Sequence, residues 1–208
     1  MNKLRRANFI LRKLEELFPN PQVQLDFSSS FTCLVAVMLS AQCTDVAVNA
    51  VTKKLFAVAS TPLEFVTLGE SGLREIIRPC GLFNTKARAI VGTSRIILQK
   101  YDGNVPDSME ELETLPGVGH KTASVIVSQC FNGPAFPVDT HIARLANRWQ
   151  LETSRDTRKI EGTLKELFPV DTWKTLHLQL ILYGRKFCPA RWHDIGKCPI
   201  CLKFSLDL

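Results

Sequence analysis

No stretch of this chain is long and apolar enough to cross a bilayer. The longest apolar run, Phe31 to Ala41, is interrupted by Thr32 and Ser40. It covers only about half a span and reads as a buried core helix. The opening MNKLRRANFILRKLEELF is charged throughout and has no apolar h-region, so a signal peptide is excluded and a cytoplasmic protein is expected. Nowhere does a segment alternate polar and apolar residues with β-branched enrichment, so no sheet of consequence is expected. Internal repeats and low-complexity tracts are missing too.

What remains is helix. The chain has 208 residues, 45% of them hydrophobic, which suits one large or two small domains with ample core. Apolar residues recur at helical spacing from Asn2 to Phe18, where Leu4, Ile10, Leu11, Leu14 and Leu17 form a stripe. The same spacing predicts helices over Phe31–Ser40, from Thr44 or Asp45 to Ala59, and over Asn84–Tyr101. Two short helices are expected at Pro62–Leu68 and Ser71–Ile77. Ser108–Leu115 and the segment ending at Cys130 flank a turn. Ile142–Trp149, Asp156–Phe168 and Trp173–Lys186 complete an all-α set of about ten short helices. Pro19 to Gln24 and Asn132 to Pro137 are the best linker candidates.

Positive charge is in excess: 26 Lys and Arg against 20 Asp and Glu, a net +6. That balance suits a polyanionic partner without requiring one. A local feature points the same way. In LPGVGHKTA, Leu115 to Ala123, Gly117 and Gly119 follow Pro116 and precede the basic pair His120-Lys121. Helix, tight glycine turn and helix bring unpaired backbone N–H groups to the surface, where they can hold a phosphate without side chains. The plain alternative is a corner that only packs. Lys121 stands in the first helical turn, where a cation opposes the helix dipole. It is either an ordinary Lys, paired or touching a phosphate, or a nucleophilic amine whose pKa is lowered by that setting. Asp139, in PVDTH, sits where an N-cap belongs. Beside an amine nucleophile such a carboxylate can also activate the attacking group or stabilise a cationic sugar.

Seven cysteines divide into two groups. Cys33, Cys43, Cys80 and Cys130 lie in apolar helical surroundings and read as buried thiols. Cys188, Cys198 and Cys201 form a CxxC plus a third Cys in a short basic segment, a metal-binding pattern. Zinc can take those three with His193 as a fourth ligand. An iron–sulfur cluster wants four thiolates. Three free thiols are the remaining possibility.

Hairpin, Lys and Asp together closely resemble the helix–hairpin–helix DNA glycosylase superfamily. The resemblance also runs through MLSAQCTD (Met38 to Asp45), GLFNTKA (Gly81 to Ala87) and YGRKFC (Tyr183 to Cys188), so it covers the chain from Asn2 to Cys201. It implies a six-helix domain over residues 22–133, with the helix–hairpin–helix at about 107–131. A second helical domain would comprise residues 1–21 and 134–208, with the Cys loop at 188–201. DNA would lie in the cleft between them, faced by Lys121 and Asp139. The implied activity is base excision repair. A bifunctional glycosylase would remove oxidised pyrimidines and then cleave the abasic site by β-elimination through a Lys Schiff base. Lys121 would be the nucleophile at C1′ and Asp139 the activating carboxylate. Gln42 would fill the gap left by the extruded base, and Leu82 would wedge into the stack. Leu115, Gly117, Val118, Gly119 and His120 would contact one DNA strand, with a main-chain-held metal ion possible at the hairpin. The expected partner is double-stranded DNA with a damaged base or an abasic site, bound by a monomer with no membrane, near the nucleoid in a bacterium. A monofunctional glycosylase of the superfamily and a non-catalytic structure-specific DNA-binding protein stay open as alternatives.

The tail departs from the family. Nine residues separate Cys188 from Cys198, a longer gap than the family's, and Asp207 stands where the family has a fourth Cys. A 4Fe-4S cluster with Asp207 or nothing as fourth ligand, zinc, and no metal are all compatible with that pattern.

Overall fold

Local capping chemistry fixes where the helices begin. The computed structural model describes residues 2–205, and among these every regular element is helical. Helix α1 (Lys3–Leu17) starts at Asn2, whose side chain accepts from the N–H of Arg5. Helices α2 (Ser30–Ser40) and α4 (Pro62–Ile77) open on reciprocal capping boxes, Ser29 with Thr32 and Thr61 with Glu64, the latter with Pro62 in the first turn. Thr44 caps α3 (Asp45–Val58), and Ser108 caps the short α6 (Met109–Glu113). Helices α5 (Phe83–Lys100) and α7 (His120–Cys130) have no side-chain cap. Asp139 caps α8 (Thr140–Arg148) and Asp156 caps α9 (Thr157–Leu167). Helix α10 (Trp173–Lys186) leads to the cysteine loop, which ends in α11 (Pro199–Ser205).

Gly69 breaks α4 with φ 68° and ψ 174°, so it consists of two short pieces, as the spacing of its apolar residues implies. Helix α6 is shorter than Ser108–Leu115, because Thr114 ends it and its hydroxyl donates to the Glu111 carbonyl at 2.7 Å. Helix α11 begins inside the segment 188–201, where the sequence predicts only a cysteine loop. Cys43 and Cys130 are only half-buried, unlike Cys33 and Cys80. No helix among the described residues is long and apolar enough to cross a membrane.

The chain forms two compact units. The central unit, Val23–Gly133, holds α2 to α7. Its axis is α2, buried without a break from Phe31 to Leu39, as an all-round apolar helix must be. Around it pack α3, α5 and α7, which contribute Val48, Leu55, Ile90, Val91, Ala123 and Ile126. The rings of Phe31 and Phe65 meet edge-on at 5.2 Å. The terminal unit, Met1–Gln22 with Pro134–Leu208, holds α1 and α8 to α11. Ile10 and Leu14 of α1 join Leu145, Ile160, Leu164, Leu176 and Tyr183 in its core. Cys188, Cys198, Ile200 and Phe204 belong to the same core, so the cysteine loop is part of the packing rather than an appendage.

Candidate functional site

In the central unit the hairpin turns on Gly117, whose φ of +75° lies in the left-handed region. A Cβ there would stand 2.7 Å from the Ala89 Cβ and 3.2 Å from the Met38 Cε. The Thr93 hydroxyl donates to the Pro116 carbonyl at 2.9 Å and fastens the turn to α5. Leu115 and Val118 are 3% and 5% exposed, so any contact they make outside the core must come from their backbone. Gly119 N-caps α7 with no side chain, and its absent Cβ faces open space. A helix start without a side-chain cap leaves backbone N–H groups open to an anion. The imidazole of His120 lies 2.6 Å from the Glu113 carboxylate, which joins the start of α7 to the end of α6. Lys121 is exposed in the first turn of α7. Replacement of Gly117 by Ala is expected to lower stability by about 2–4 kcal/mol, from left-handed strain plus the clash with Ala89. The same change at Gly119 should cost less than about 1 kcal/mol. Denaturant melts of the two variants test this, and equal losses would contradict it.

Two exposed side chains share an unusual backbone. Gln42 has φ 54° and Leu82 has φ 59°, values at which a side chain is disfavoured. Leu82 is 56% exposed, although it is a large apolar residue. The two turns touch: a Cβ on Gly81 would lie 3.5 Å from the Gln42 carbonyl oxygen. Lys86, buried on α5, donates from Nζ to the carbonyls of Leu39 at 2.8 Å and Ala41 at 2.7 Å. It thereby caps the C-terminus of α2 and holds the Gln42 turn beside Leu82. The motif GLFNTKA does not by itself assign Lys86 this role. Its signal is a Lys among apolar helix positions. Lys86→Met should cost about 2–4 kcal/mol, because the buried Leu39 carbonyl and the part-buried Ala41 carbonyl lose a charged donor. A thermal melt unchanged from wild type would contradict it.

In the terminal unit Asp139 is half-buried and accepts from the backbone N–H of Ile142 at 2.9 Å. One turn on, Arg144 gathers three carbonyls: Thr140 at 3.4 Å, Gly184 at 3.0 Å and Cys188 at 3.2 Å. Burial and the neighbouring Arg148 hold its guanidinium below the usual range, and the sides of Cys188 and Asp139 act against that. Gly184 permits this approach, since a Cβ would come within 3.2 Å of the Arg144 and His141 side chains. Arg144 therefore ties the helix that starts at Asp139 to the first cysteine of the loop.

That loop brings Cys188, His193, Cys198 and Cys201 together, with one ligand atom from each within 4.8 Å of the others. Cys188 and Cys201 Sγ are 3.8 Å apart. Arg148 donates to the Cys188 Sγ at 3.1 Å, and the Tyr183 hydroxyl lies 3.1 Å from the Cys198 Sγ. Hydrogen bonds from Cys188 and Cys201 hold the Cys198 thiol down, while those with Cys188 and Cys198 push Cys201 up. A metal ion bound among these sulfurs would replace the thiol protons. This is a donor set able to hold a metal ion. Asp207 lies outside the described residues.

The family model for "HhH-GPD superfamily base excision DNA repair protein" matches residues 35–170. The chain is 44% identical to endonuclease III of Escherichia coli (strain K12) over 200 residues, covering 96% of this chain and 94% of that protein. Its fold is similar to that in a solved trapped endonuclease III–DNA covalent intermediate, with a TM-score of 0.92 and 37% identity over 96% of this chain and 94% of the other. A non-covalent endonuclease III–DNA complex gives a TM-score of 0.93 and 36% identity, covering 100% of this chain and 99% of that one.

Proposed function

This chain belongs to the HhH-GPD superfamily of base excision DNA repair proteins, and from that we propose that it is a DNA glycosylase and abasic-site lyase. Its partner is double-stranded DNA carrying a damaged base or an abasic site, and its compartment is the one that holds DNA. The observation that carries the reading is Lys121: an exposed amine in the uncapped first turn of α7, directly after the glycine cradle.

The backbone from Leu115 to His120 would hold phosphates of one strand, which positions the protein without reading sequence. Gln42 and Leu82, held side by side by Lys86, would occupy the space left when the damaged nucleotide leaves the stack. Insertion of side chains offsets the few kcal/mol lost on unstacking. The Lys121 amine would then attack C1′ and the base would depart. The opened sugar and the amine form an imine. That imine acidifies the C2′ protons, so loss of one expels the 3′ phosphate. Asp139 would accept the proton that the attacking amine sheds, or stabilise positive charge on the sugar as the base leaves. Oxidised pyrimidines are the substrates that the resemblance favours. The cysteine loop would hold a resident metal centre whose part is to fix the terminal unit. The resemblance suggests a four-iron cluster there, and the donor types suit zinc as well.

Borohydride reduction during incubation with abasic-site DNA tests the reading. A covalent protein–DNA adduct should form, with the DNA mapped by peptide mass to Lys121. Base release without any adduct would make the protein a monofunctional glycosylase. DNA binding with neither would leave only a structure-specific binder.

A further inference from the structure

The loop after α10 differs from a four-thiolate cluster site in its donors and in their spacing. A tetrahedral zinc ion with bonds of about 2.3 Å to sulfur holds its sulfurs about 3.8 Å apart. Cys188 and Cys201 Sγ are 3.8 Å apart, and the ligand atoms of all four residues fall within 4.8 Å. In a four-iron cubane each thiolate ligates its own corner iron and points away from the others, so the sulfurs stand farther apart. The donors here converge on a volume that suits one ion.

His193 completes the set. Its ring is within hydrogen-bonding reach of Cys198, and its Nε2 is buried with no well-formed hydrogen bond among the described residues. A buried ring nitrogen left unsatisfied costs free energy unless something binds it. One of its ring nitrogens lies within 4.8 Å of each of the three sulfurs. Three thiolates and one imidazole make a closed structural zinc set, with no need of a further residue such as Asp207.

Polar groups are aimed at two of the sulfurs. The backbone N–H of Ile200 donates to the Tyr183 hydroxyl oxygen at 3.0 Å. That leaves the Tyr183 proton free to be given to the Cys198 Sγ at 3.1 Å. Arg148 gives its N–H to the Cys188 Sγ at 3.1 Å and to the Pro189 carbonyl at 2.8 Å. Partners that orient ligands and offset their charge in this way are characteristic of built metal sites. Cys188 and Cys198 are fully buried in the core of the terminal unit, where bare thiolates could not persist without a cation.

We propose that Cys188, His193, Cys198 and Cys201 hold a single zinc ion in tetrahedral Cys3His coordination. Binding releases the thiol protons, and the metal takes their place. Zinc is redox-inert, so the centre folds the terminal unit and carries no electron. The inference stands on the loop alone and is independent of the glycosylase reading.

The test is metal and sulfide analysis of the full-length protein, produced with both iron and zinc available. One zinc per chain, no acid-labile sulfide and no visible colour is the expected result. Several irons with sulfide would overturn the proposal. So would a chain that holds no metal and, after acid and chelator treatment, takes up neither zinc nor cobalt. Cobalt loaded in place of zinc should give intense tetrahedral d–d bands with thiolate charge transfer. His193→Cys should keep one metal per chain and shift that cobalt spectrum. His193→Ala should weaken zinc binding by more than about 100-fold, beyond the loss typical of residues that only support a ligand. An unchanged cobalt spectrum in His193→Cys would remove His193 from the coordination sphere and overturn the proposal.

Discussion

Lys121→Gln is expected to abolish strand cleavage at abasic sites and covalent trapping by borohydride, and to slow base release by a factor on the order of 10^4 or more. At about 1.4 kcal/mol per tenfold, this is a loss of roughly 5–6 kcal/mol of transition-state stabilisation. Gln is one atom shorter than Lys, stays polar, and its amide nitrogen cannot form an imine. The fold should not notice the change. Lys121 is exposed, and a cation in the first turn of α7 opposes the helix dipole, so stability should move by no more than about 0.5 kcal/mol, in either direction. Single-turnover cleavage of abasic and damaged-base duplexes, beside a thermal melt, checks both halves. Residual lyase activity near the wild-type level would remove Lys121 from the chemistry. Loss of activity together with a large fall in melting temperature would mean that the effect is structural.

Asp139→Asn should slow base release by about 10^2–10^4-fold while leaving the fold and DNA binding intact. The separation is possible because one side chain has two tasks. Its Oδ1 accepts the Ile142 N–H at 2.9 Å and so starts α8. Asn caps a helix about as well as Asp, so that bond survives, and only the negative charge and the proton-accepting capacity are lost. Asp139→Ala removes both and should cost about 1 kcal/mol of stability in addition. Burst and steady-state rates on damaged duplexes, with binding by anisotropy and melts of both variants, make the comparison. Wild-type turnover in Asp139→Asn would reduce Asp139 to a cap. An Asn variant as unstable as the Ala variant would show that the charge serves the fold.

Local pattern made most of the helices legible. Nine unbroken buried positions in α2 follow from its apolar run, and Gly69 with its polar neighbours divides α4 where periodicity lapses. Gly117 and Asp139 were readable because a left-handed turn and an N-cap are one-residue signals. Long-range pairings were not. Lys86 reaches Leu39 and Ala41 across more than forty residues of sequence, and nothing near it in the chain marks the carbonyls it meets. Arg144 likewise joins α8 to Gly184 and Cys188, and only folding brings these together. His193 was one of several options on paper, since spacing cannot tell whether a loop turns its ring toward three sulfurs. Helix α11 was hidden because a CxxC segment reads as loop whether or not a helical turn follows it.

Gln42 and Leu82 adopt left-handed backbone that glycine would occupy more comfortably. Exchange for glycine at either position relieves up to about 1 kcal/mol of strain. A library of this protein selected only for heat resistance would therefore drift toward Gln42→Gly and Leu82→Gly. Its winners would outlast the parent and repair DNA poorly, having discarded the two side chains proposed to replace an extruded base. On the proposed roles, durability and damage recognition pull the same two codons in opposite directions.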